Sequence, residues 1–85
     1  MTGLQFVGIT AAEAAERQLE HERREIAGAI AMVGEANFPS VVVANLAHCQ
    51  AVVDELRPLA DAMGVRLRLI GHAHDVGCDV VVSRA

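Results

Sequence analysis

The chain has 85 residues, a net charge of −4 and no lysine, so every basic residue is an arginine. That length holds a single domain and no second one. The acidic balance argues against a general polyanion binder, which needs a basic surface, and no apolar run is long enough to cross a membrane.

Residues 4–9, LQFVGI, are apolar and rich in β-formers, and they predict a first strand. The residues around them lack the basic and long apolar regions of a secretory leader, so a cytoplasmic location is expected. Thr10 follows as a helix N-cap, with Glu13 at the spacing of a capping box. From there residues 11–35 read as one long helix. Ala15, Leu19, Ile26, Ile30 and Val33 share a face at helical spacing. A helix of about 25 residues is ~37 Å long, more than a small sheet spans. Its charged half, ERQLEHERRE over 16–25, is therefore expected to project past the sheet, solvated or packed on a partner.

Asn37, Phe38 and Pro39 break the helix. SVVVANL over 40–46 is a β-branched run typical of a strand. Asn45 is a candidate cap for a second helix, placed at 46–63, with Cys49, Val52, Leu56, Leu59 or Ala60, and Met63 inward. Pro58 should kink or divide it, and Gly64 is a suitable stop. Residues 65–73 alternate as a strand, and residues 78–84 form another. Asp75, Val76 and Gly77 fit a three-residue hairpin loop with Gly77 at positive φ.

The order is β-α-β-α-β-β. It predicts an α/β two-layer sandwich: a mixed four-stranded sheet, three strands parallel and the hairpin's last strand antiparallel, with two helices. With the loop at 75–77, His74 lies opposite Cys78, His72 opposite Val80, Ile70 opposite Val82 and Arg68 opposite Arg84. Opposed residues share a face. Arg66, Arg68, Ile70, Val80, Val82 and Arg84 would then form an apolar strip rimmed by arginines, a pattern that marks interaction surfaces.

The stretch GHAHDVGC over 71–78 and the pair His48-Cys49 gather three of the four histidines and both cysteines. The strand ends bring His48, His72, His74 and Cys78 to one edge, where a tetrahedral zinc site is conceivable. The spacing matches no established zinc pattern, and a polar hairpin tip without cofactor is the expectation. Two cysteines are too few for a disulfide-stapled scaffold; they could form one bridge, but reduced thiols in a cytosol are expected. No constellation meets the requirements of catalysis, so the chain is not expected to be an enzyme.

The element order resembles that of the C-terminal domain of bacterial translation initiation factor three, and that of Alba-type chromatin proteins. The likeness is of element order, without a shared residue motif. It implies nucleic-acid binding through Arg66, Arg68 and Arg84, which the absence of lysine and the net charge disfavour. The leading expectation is a non-enzymatic interaction module. More than half of the residues are apolar, yet most are Ala and Val and the only aromatics are Phe6 and Phe38. Small side chains bury little area each, so a homodimer is expected to supply the missing burial. Its contact would use the open sheet face or the long charged helix, with another protein as a further possible partner.

Overall fold

The computed structural model of the chain describes residues 10–71 and 77–85. The elements in order are α1 (Ala11–Gly34), β1 (Ser40–Leu46), α2 (Cys49–Ala62), β2 (Val65–Gly71) and β3 (Cys78–Arg84). The strand expected over residues 4–9 lies outside the described residues.

Helix α1 starts where the capping box placed it. Thr10 Oγ1 accepts from the Glu13 N–H at 3.1 Å, and Glu13 Oε1 accepts from the Thr10 N–H at 3.0 Å. The helix ends before Asn37, whose φ of 63° turns the chain toward β1. Helix α2 begins later than the sequence suggested. Asn45 is not its cap but takes a φ of 60°, and its N–H donates to Asp79 Oδ1 at 3.0 Å. The cap position falls to His48, and α2 then runs through Pro58 without a break. Gly64, at φ +68°, stops it in the left-handed region that glycine enters without steric cost.

The described strands form a three-stranded antiparallel sheet in the order β1-β3-β2. This corrects the expected arrangement of three parallel strands. The crossover from β1 through α2 to β2 leaves a gap of one strand, and β3 fills it. Strands β1 and β2 therefore point the same way without touching, and each pairs with β3.

The hairpin register is also corrected. Gly71 lies opposite Cys78, Leu69 opposite Val80, Leu67 opposite Val82 and Val65 opposite Arg84. The loop expected at 75–77 lies partly outside the described residues, but the described pairing is shifted by three from the expected one, an odd number. An odd shift moves every side chain of one strand to the other face relative to its partner.

The core follows from that register. Ile26, Ile30 and Val33 of α1 join Val52 and Val53 of α2 against Val43, Val65, Leu67, Val80 and Val82. Both helices thus pack on one face of the sheet, and each fully buried side chain of this size contributes roughly 1.5–3 kcal/mol. Val80 and Val82 are 0% exposed, so they leave the expected interaction strip and become core.

Candidate functional site

Two regions carry chemistry. The first is the sheet face that no described helix covers. Along β2 the outward residues are Arg66, Arg68 and Ile70, and register places them beside Ser83, Val81 and Asp79 of β3. Strand β1 adds Ser40 opposite Ser83 and Val42 opposite Val81. Val42 is 57% exposed and Ile70 42%, Val81 is half-buried, and both arginines are exposed. The apolar strip rimmed by arginine is thus present with a different membership. Val42 and Val81 stand where Val80 and Val82 were expected. Arg84 leaves the group, because its parity is that of Val65 and its guanidinium donates to Asn37 Oδ1.

The second region lies where β1 ends, α2 begins and β3 starts. A register shift between Val43 and Leu46 bends the end of β1, so that Leu46 pairs with Cys78. A bulge of this kind re-aims the following side chains. Leu46 turns into the core, and Cys49 opens α2 within reach of Cys78. The two cysteines form a disulfide with Cα atoms 6.3 Å apart, closing a span of 29 residues. This overturns the expectation of reduced thiols.

It also removes Cys78 as a zinc ligand, since its sulfur is bonded to Cys49. His48 is half-buried at the cap of α2, while His72 and His74 lie outside the described residues. Among the described residues, no three His, Cys, Asp or Glu side chains converge on a metal position.

Glu22 organises the same corner, and it was not among the residues singled out from sequence. Its carboxylate is 0% exposed although it sits in the charged half of α1. Oε2 accepts from the Ala47 N–H at 2.8 Å and from Gln18 Nε2 at 2.7 Å, and Oε1 accepts from the His48 N–H at 2.7 Å. A carboxylate from one helix thus holds the entry of another. Anions are favoured at such entries by the unpaired N–H groups and the helix dipole. Burial pushes the Glu22 carboxyl up, but the bonds from Gln18, Ala47 and His48, with attraction to the His48 ring, outweigh it. The group is held below the usual carboxylate range.

Outside this corner Arg23 forks onto Glu55 of α2 and also contacts Glu20. The charged half of α1 is therefore divided. The first two turns of α1, residues 11–18, are exposed, while Leu19, Glu20, Glu22 and Arg23 engage the body. Periodicity could have revealed Glu22, since it sits three residues after Leu19 and four before Ile26 on the apolar stripe.

No described helix is long and apolar enough to cross a membrane. No protein-family model, curated protein or solved structure matches the chain, so the likeness in element order gains no support from a matching fold.

Proposed function

We propose that this chain is a small non-enzymatic interaction module that works as a homodimer through its open sheet face. The observation that carries the reading is the exposure of Val42 and Ile70 on one face, with Val81 beside Val42 and diagonal to Ile70, and with Arg66, Arg68 and Asp79 on the same face. Apolar side chains displayed together on one face of a sheet are what an interface core requires, and a polar rim supplies solubility and register. The small side chains of the core give a physical reason to seek further burial in a second copy.

Light scattering across the micromolar range tests this. The wild type should run at twice 9.0 kDa, and Ile70→Asp should run as a folded monomer, because that side chain is outside the core. A wild type that stays monomeric at high micromolar concentration, or an Ile70→Asp variant that still dimerises, removes the reading. The cytoplasmic setting expected from sequence would place the disulfide among reducing thiols.

A further inference from the structure

The disulfide does not present its two sulfurs equally. Cys49 is 2% exposed and belongs to the core, whereas Cys78 is half-buried at the first position of β3. Thiol–disulfide exchange needs a thiolate to approach one sulfur in line with the bond, and access decides which sulfur is attacked. Burial closes that approach at Cys49, whereas Cys78 keeps partial exposure, though its side chain packs against the core and its Sγ lies 3.4 Å from the Leu46 carbonyl oxygen.

We propose that Cys78 is a site of reversible S-thiolation by small-molecule thiols, with Cys49 as the dedicated leaving group. The thiolate of the small molecule bonds to Cys78 Sγ. The Sγ–Sγ bond breaks and its electron pair goes to Cys49 Sγ, which takes a proton from water. The products are a mixed disulfide on Cys78 and a Cys49 thiol. A second small thiol then bonds to the first one's sulfur and releases Cys78 as a thiol. The bridge has then gained two electrons, and the two small thiols leave as their own disulfide. Attack by Cys49 on the mixed disulfide instead restores the bridge. The modification uncouples the start of α2 from the start of β3, at the corner that Glu22 also holds.

Glutathione is the probe. Oxidised wild-type protein is exposed to it under native conditions, quenched in acid and cut after arginine. Cleavage places Cys49 in the fragment 25–66, since Pro58 protects the bond after Arg57, and Cys78 in 69–84. At short times the glutathione adduct should be at least tenfold more abundant on 69–84. Equal labelling, an excess on Cys49, or labelling that begins only in denaturant overturns the proposal. Single variants give a second measure. The Cys78 thiol in Cys49→Ser should react with an aromatic disulfide reagent at least tenfold faster than the Cys49 thiol in Cys78→Ser, and equal rates count against the proposal. The wild-type mapping needs neither substitution, so it decides the matter if a variant fails to fold.

Discussion

Replacing Glu22 with alanine should be among the most damaging single changes on the charged half of α1. Two backbone N–H groups, of Ala47 and His48, lose a charged acceptor, and Gln18 loses its partner. A hydrogen bond to a charged group contributes about 1.5–3 kcal/mol. Ala47 is exposed and His48 half-buried, so water can reach part of the vacated site and the low end applies to each. The two backbone bonds then sum to about 3 kcal/mol. For a domain of this size the loss corresponds to a fall in Tm of roughly 10–20 °C. Glu22→Gln keeps one carbonyl oxygen, but its amide nitrogen must face an N–H donor, so about half of that loss is expected.

The charge on Glu22 adds a pH signature. Its folded pKa lies below the ordinary value of 4.5. Its share of stability is therefore present above the unfolded pKa and is lost as pH falls through the folded one. The gap between wild type and Glu22→Gln should be full at neutral pH and shrink in the acid range below about pH 4.5. Chemical denaturation of the wild type, Glu22→Gln, Glu22→Ala and the exposed control Glu16→Ala at several pH values measures all of this. If Glu22→Ala and Glu16→Ala cost the same, or if the Glu22→Gln gap does not change with acid, the assignment of a charged, helix-holding carboxylate is wrong.

Reduction of the Cys49–Cys78 bridge releases a 29-residue span in the unfolded chain. Loop-closure entropy sets the cost at about 3.5 kcal/mol, and calorimetry with and without a dithiol reductant should show Tm lower by roughly 15–25 °C. Val82→Asp buries an unpaired carboxyl where exposure is 0% and should cost several kcal/mol. Val42→Asp, on the open face, should cost under about 1 kcal/mol of protomer stability when measured below the concentration at which copies associate, and a reversed order in urea titrations would restore the register of a short hairpin loop. A metal chelator should leave the melting of the oxidised wild type unchanged, because Cys78 is bonded to Cys49; a clear drop would revive a zinc site.

Much of the local structure was legible because its causes are local. The capping box at Thr10 and Glu13, the valine run of β1 and the left-handed stop at Gly64 each depend on residues within a few positions. The start of α2 was misplaced because Asn45, a good cap by type, is held at positive φ by a bulge and by Asp79, 34 residues away. The sheet order depends on where β3 settles, and no residue of β3 signals that it sits between β1 and β2.

The interaction face failed at one step of parity. Arg66, Arg68 and Ile70 were placed on a common face by strand alternation alone, and the structure keeps them together. Val80 and Val82 join them only through a three-residue loop, and an odd change in register exchanges the two faces of β3. Alternation within β3 carries the missing information. Asp79, Val81 and Ser83 share one face while Val80 and Val82 share the other. The more apolar face belongs with Leu67 and Leu69 in the core, and the face with Asp79 and Ser83 stays beside Arg66, Arg68 and Ile70. The same reasoning applies to Glu22. Its burial is set by an apolar stripe that passes through it and by two donors that only the tertiary fold brings near. A charged residue on such a stripe, close to a helix entry, is therefore a candidate for a buried acceptor rather than for a solvated face.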